Sequence, residues 1–180
     1  GRSETAEKIL TYAIQYAKSP CVIDGDGLTI LAEELPLLKH KKNVILTPHM
    51  KEMSRLLQCT VEELQKSRLL RLTEFVEDYP VVCAMKDART LVSSSTGGVY
   101  VNTSGNEGMA KAGSGDVLAG IIAGLLAQGL ELRKACETGV FLHGLCGDRE
   151  KREKGSYSIL AGDLIEALSE VLKGADNENI

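Results

Sequence analysis

The chain has 180 residues, 43% of them hydrophobic, enough to bury one sizeable core in a single domain. Charged residues make up 26%, the net charge is −4 and aromatics total 4%, a balance that argues against a nucleic-acid surface. The five cysteines (Cys21, Cys59, Cys83, Cys136, Cys146) form no CxxC pair, which speaks against zinc and for reduced thiols packed as small hydrophobes. No apolar run reaches membrane-spanning length, and Gly1-Arg2-Ser3-Glu4 is no signal peptide, so a cytoplasmic chain without a membrane partner is expected.

In chain order, Ala6, Ile9, Leu10, Ala13, Ile14 and Ala17 recur at helical spacing behind a Ser3 cap, and Pro20 ends that helix. Cys21-Val22-Ile23 reads as a short buried strand that ends at Asp24-Gly25-Asp26-Gly27. Val44-Ile45-Leu46 is a second, ending at Thr47-Pro48-His49. Thr60-Val61-Glu62-Glu63 has the form of a capping box and opens a helix towards Tyr79. Val81 to Met85 is a third buried strand, ending at Lys86-Asp87. A hairpin follows, Leu91 to Ser95 and Val99 to Asn102 around Thr96-Gly97-Gly98. Helices are expected over Val117–Gln128, Arg133 to about Lys151 and Ala161–Lys173, before a polar, frayed tail. The domain is thus placed at residues 1–174 and the tail at 175–180.

Short apolar strands alternating with helices indicate an α/β fold with a mostly parallel sheet. Each parallel strand ends in polar residues, and ligands of such sheets gather beyond the carboxyl ends of the strands. The chemistry therefore converges on one edge.

Gly113-Ser114-Gly115-Asp116 leads into the long apolar helix. A loop without bulky side chains lets backbone N–H donors and the helix N-terminus approach an oxyanion. A carboxylate beside a phosphate could take a proton from an attacking hydroxyl or help to hold a metal. The same four residues are also an ordinary helix cap. Asp24-Gly25-Asp26-Gly27 invites a calcium reading, but the twelfth position from either aspartate is Leu35 or Leu37 where an EF-hand needs glutamate. What stands is a strand-to-helix turn that brings Asp24 or Asp26 to the ligand edge. His49 and Glu52 share one face if a helix begins near His49, either as substrate and metal contacts or as a capped helix with a surface histidine. Lys86-Asp87-Ala88-Arg89-Thr90 offers cations to phosphates or a ribose, or is a solvated charged turn. His143, on the apolar face of Val140, Leu142 and Leu145, reads as packed.

Taken together, Asp24-Gly25-Asp26-Gly27-Leu28, Thr47-Pro48-His49-x-x-Glu52-Met53-x-Arg55-Leu56-Leu57, Lys86-x-Ala88-Arg89-Thr90 and Asn106-x-Gly108-Met109-Ala110-x-x-Gly113-Ser114-Gly115-Asp116-Val117-Leu118-Ala119-Gly120 resemble the ADP/ATP-dependent NAD(P)H-hydrate dehydratases of the ribokinase-like superfamily. The resemblance implies a three-layer α/β/α sheet and a lyase that repairs NADHX and NADPHX. The hydrate hydroxyl is phosphorylated by ADP or ATP with Mg²⁺, and phosphate then leaves. It assigns Asp116 as the base, His49 and Asp116 to the substrate, and Lys86, Asp87, Ala88, Arg89, Thr90 and Gly115 to the nucleotide. Backbone groups of Gly113, Ser114 and Gly115 become the anion hole, and Glu52 a metal contact.

Two departures from the family pattern stand out. Asp87 occupies a place that is usually glycine. The chain also begins later than family members do, with Gly1-Arg2 as the remnant of a Gly-Pro-Gly-type segment, which leaves the sheet incomplete on the N-terminal side. Open sheet edges favour association, so a homo-oligomer, or assembly with a chain supplying the absent part, is expected. The competing readings are a vitamin-precursor or sugar kinase of the same superfamily and an inactive nucleotide-binding fragment.

Overall fold

A computed structural model describes residues 3–177; the expectations for Gly1-Arg2 and for the last three residues lie outside the described residues. Ser3 caps the first helix, α1 (Glu4–Tyr16), by accepting from the Ala6 N–H. Strand β1 (Cys21–Ile23) turns through Gly25, at φ 56°, into α2 (Asp26–Leu31). After a 3-10 turn come β2 (Val44–Leu46), α3 (Met50–Leu56), α4 (Val61–Lys66), α5 (Arg68–Asp78) and β3 (Val82–Met85). The hairpin β4 (Leu91–Ser93) and β5 (Tyr100–Val101) precedes three helices, α6 (Ser114–Ala127), α7 (Leu132–Lys154) and α8 (Ala161–Asn177).

The helix expected from Thr60 to Tyr79 is interrupted. Thr60 and Glu63 do form the capping box of α4, but the Ser67 hydroxyl donates back to the Glu63 carbonyl at 3.2 Å and Ser67 leaves helical geometry (φ −141°, ψ 32°). Local back-bonding of this kind competes with the helix ladder. At the other end, α8 continues to Asn177, into the segment expected as a tail.

The sheet has the order β1-β2-β3-β4-β5. β1, β2 and β3 are parallel, and β4 is antiparallel to both β3 and β5, so four of the five strands point the same way. Alternation explains why the strand runs are apolar throughout. Val44, Leu46, Cys83 and Met85 face α1 to α5, whereas Ile45, Val82 and Ala84 face Leu118 and Ile122 of α6 and Cys136 and Val140 of α7. A third cluster joins α6 and α7 to Leu164 and Ala167 of α8. The result is the expected three-layer α/β/α arrangement. Arg133 of α7 pins the hairpin tip, donating to the carbonyls of Thr96 and Gly98 at 2.6 Å each.

All five cysteines are free, and burial pushes the Cys146 thiol up to about 11. Among the described residues no helix is long and apolar enough to cross a membrane.

Candidate active site

Three strand ends and one helix start meet at the carboxyl edge of the sheet. The Lys86 N–H donates to the Pro48 carbonyl at 2.7 Å, and His49 pairs with Lys86, so the β2–β3 ladder runs on past the strands proper. His49 and Lys86 are thereby fixed side by side. From β1, Asp24 reaches the Lys86 ammonium at 2.6 Å. The N-terminus of α6 closes on this pair. A Cβ on Gly115 would stand 3.1 Å from Lys86 Nζ and 3.3 Å from Asp24 Oδ2, so only glycine lets the helix come this near without displacing the pair. Gly113 caps α6 in the left-handed region (φ 85°), where a side chain would be strained.

These elements enclose a cleft of about 1280 Å³. Asp116, His49, Glu52, the run Lys86 to Thr90, and Gly113, Ser114 and Gly115 all line it. Of the two aspartates offered by the Asp24–Gly27 turn, Asp24 lines the cleft, together with the residues to which the resemblance assigned roles. Asp116 sits in the first turn of α6 with its side chain exposed, where the helix dipole favours a negative charge. The first-turn N–H groups of a helix lack intrahelical partners. The Ser114 N–H donates to the Lys111 carbonyl at 3.3 Å.

Of the two alternatives for His49, the helix cap is present in the structure. It is the cap of α3: Nδ1 accepts from the Lys51 and Glu52 N–H groups at 3.1 and 3.2 Å, while Glu52 accepts from the His49 N–H at 2.8 Å. Its ring is nevertheless half exposed to the cleft, with Nε2 3.4 Å from the buried Glu52 carboxylate. A cap thus holds the imidazole in one orientation. Asp87, the departure at the glycine position, is turned aside by an ion pair with Arg68 of α5. Arg89 braces the far wall by donating to the Thr103 carbonyl at 3.2 Å.

Several cleft residues were not legible as such in the sequence, His143 and Asp148 among them. His143 lies in the cleft, with Nε2 3.3 Å from the Ser114 hydroxyl; the reading as a packed residue caught its burial but not its exposure to the site. Burial pulls its pKa down to about 4, opposed by a hydrogen bond at Ser114 and aided by the Lys86 charge. Asp148 of α7 accepts from the Gly105 N–H and the Asn106 amide, both at 2.9 Å, and so fastens the segment that leads into α6. No motif marks it, because its role depends on a contact across 42 residues or more.

A sequence model of the NAD(P)H-hydrate dehydratase family matches residues 1–170. The chain belongs to the NAD(P)H-hydrate dehydratase family. It is 42% identical over 160 residues to the bifunctional NAD(P)H-hydrate repair enzyme of Moorella thermoacetica, covering 88% of this chain and 30% of that protein. To the ADP-dependent (S)-NAD(P)H-hydrate dehydratase of Neisseria meningitidis serogroup B it is 41% identical over 157 residues, covering 85% of this chain and 53% of the relative. The crystal structure of the ADP/ATP-dependent NAD(P)H-hydrate dehydratase from Bacillus subtilis, co-crystallised with ATP/Mg²⁺ and soaked with CoA, superposes with a TM-score of 0.84 at 29% identity, over 96% of this chain and 62% of that one. This chain thus spans about a third to three fifths of the length of these dehydratase-family relatives. A ribokinase-like superfamily protein from Enterococcus faecalis (TM-score 0.83, 32% identity) shares the fold, which is ribokinase-like.

Proposed function

We propose that this chain carries the phosphoryl-transfer half-site of a nucleotide-dependent NAD(P)H-hydrate dehydratase, restoring NADH and NADPH from NADHX and NADPHX. The observation that carries this reading is the convergence of Asp116, His49 and the Lys86–Thr90 turn on one cleft at a helix N-terminus. ADP is the favoured donor, in keeping with the name of the Neisseria relative.

Asp116 takes the proton of the ring hydroxyl as that oxygen attacks the terminal phosphorus of the nucleotide. The new O–P bond forms as the bridging P–O bond breaks, and the shortened nucleotide leaves with that electron pair. Lys86, beside Asp24, and the free amides at the start of α6 neutralise the equatorial oxygens. The C–O bond then breaks, phosphate departs with the electrons, the ring nitrogen supplies a lone pair, and a proton leaves the neighbouring carbon. Phosphate is a far better leaving group than hydroxide, which is why a nucleotide is consumed. His49 faces the hydrated nicotinamide, and Lys86, Ala88, Arg89, Thr90 and Gly115, with the main chain of Asp87, hold the nucleotide.

Among the described residues no three metal-ligating side chains cluster. A nucleotide-borne Mg²⁺ needs only one or two protein carboxylates, with phosphates and water completing its shell, and Glu52 lines the cleft. The donor set fits that mode, with Glu52 as the protein contact; when bound, the ion offsets phosphate charge. A Glu52→Gln variant with unchanged Mg²⁺ dependence would remove this role. A cytoplasmic, reducing setting accords with the free thiols. A homo-oligomer, or assembly with a chain supplying the absent part, is proposed in place of a monomer; light scattering checks it.

The deciding experiment is recovery of reduced-nicotinamide absorbance from NADHX with Mg²⁺ and ADP or ATP, wild type against Asp116→Asn. Recovery that needs nucleotide and falls about 10²- to 10⁴-fold in the variant is expected, the usual worth of a positioned base. A stable phosphorylated substrate would mark a kinase instead, and nucleotide binding without turnover an inactive binding fragment.

A further inference from the structure

Ser114 is buried (7% exposed) at the start of α6, yet it lines the cleft. Its amide is already committed to the Lys111 carbonyl, so it is the hydroxyl that is left to act on a ligand. That oxygen lies 3.3 Å from Nε2 of His143, which α7 delivers from the opposite wall. Ser114 and His143 are separated by 29 residues and meet only because α6 and α7 pack side by side.

The ring is held neutral by burial, down to about pH 4. A neutral imidazole carries a single N–H. With that proton on Nε2, the ring donates to the serine oxygen and leaves the hydroxyl proton to point elsewhere. The opposite tautomer would draw the hydroxyl proton to the ring and present only lone pairs to the cleft, which a phosphate oxygen would repel. Packing alone does not call for a serine at this position, since an alanine would fill the turn as well and leave no hydroxyl to satisfy.

Resting on the phosphoryl-transfer reading above, we propose that Ser114 binds the transferred phosphoryl through its hydroxyl, and that His143, donating from Nε2, is the positioning residue that turns the hydroxyl proton towards it. The hydroxyl thereby takes the place of the amide that Lys111 withdraws. His143 touches no substrate and acts only through Ser114.

The test is calorimetric binding of ADP and of AMP to the full chain, in wild type, Ser114→Ala, His143→Leu, His143→Gln and the Ser114→Ala/His143→Leu double variant. If ATP is the donor, the same comparison is made between ATP and ADP. Loss of one hydrogen bond to a charged phosphate is expected to weaken the longer nucleotide about tenfold or more in Ser114→Ala and in His143→Leu, while the shorter one binds as before. His143→Gln, whose amide nitrogen can reach the place of Nε2, keeps most of the affinity. The double variant is no weaker than Ser114→Ala. Equal weakening of both nucleotides, unchanged affinity in either single variant, or single losses that multiply in the double variant would overturn the assignment. A wild-type chain that binds neither nucleotide overturns the phosphoryl-transfer reading and this inference together. Wild-type binding with silent variants overturns only the serine–histidine pair.

Discussion

Gly115 carries more of the site than its size suggests. It lets the α6 N-terminus stand against the Asp24–Lys86 pair, and a methyl group there would press on the far ends of two flexible side chains rather than on backbone. Gly115→Ala is therefore expected to leave the melting temperature within a few degrees while weakening nucleotide binding several-fold, as calorimetry would read. His143 makes a different prediction. In the unfolded chain a histidine binds its proton near pH 6.5, whereas folded His143 resists protonation until about pH 4. Between those values the unfolded state holds the extra proton, so stability is full above pH 6.5 and falls as the pH drops towards 4. Urea titrations at pH 7 and pH 5 should show this slope in wild type and a flatter one in His143→Gln. The motifs around Asp116 and His49 could be read directly, because capping and charge at a helix start are local properties of a few consecutive residues. The partners of those motifs could not: nothing near Lys86 in the chain announces Asp24, and His143 carries the same apolar neighbours whether or not its ring reaches a cleft.

At the level of elements, α7 is the template for the segment between β5 and α6. Asp148 holds Gly105 and Asn106, and the Glu107 carboxylate, held down to about 2 by its hydrogen bonds to Lys151 and Ser156, ties the same segment further along. Small residues make the fit possible. A Cβ at Gly144 would stand 2.1 Å from Ser104 Oγ and 2.7 Å from the Ser104 carbonyl carbon, and one at Gly147 2.1 Å from Met109 Sδ. Because backbone lies in the way at Gly144, Gly144→Ala must lift the segment off the helix. A destabilisation of about 1–3 kcal/mol is expected, with nucleotide affinity falling alongside it, measurable by chemical denaturation and calorimetry. Element types followed from short apolar runs with polar ends for β1, β2 and β3, and from the Thr96-Gly97-Gly98 turn for the hairpin. The break at Ser67 did not, because apolar residues keep helical spacing through it and a single side-chain hydrogen bond decides the matter.

For the molecule as a whole, the cleft is walled by both halves of the fold: β1 to β3 and α3 on one side, the hairpin, α6 and α7 on the other. A nucleotide that touches both should stabilise the native state by mass action. At 100 times its dissociation constant the gain is about 2.7 kcal/mol, or roughly 5–10 °C in melting temperature for a chain of this size. Thermal melts with and without ADP check this, and no shift with ADP or ATP would count against a nucleotide site. By itself the chain's order of residues determined the α/β class, the strands and their polar ends, and the motifs that place it among the NAD(P)H-hydrate dehydratases, since all of these depend on near neighbours and on the periods of helix and strand. Only the tertiary structure decided which of those motifs touch. The Asp24–Lys86 pair, the meeting of Ser114 with His143, the turning of Asp87 to Arg68 and the seating of the Ser104–Met109 segment on α7 all arise from packing between elements far apart in the chain, and no local pattern encodes a contact whose partner lies on another element.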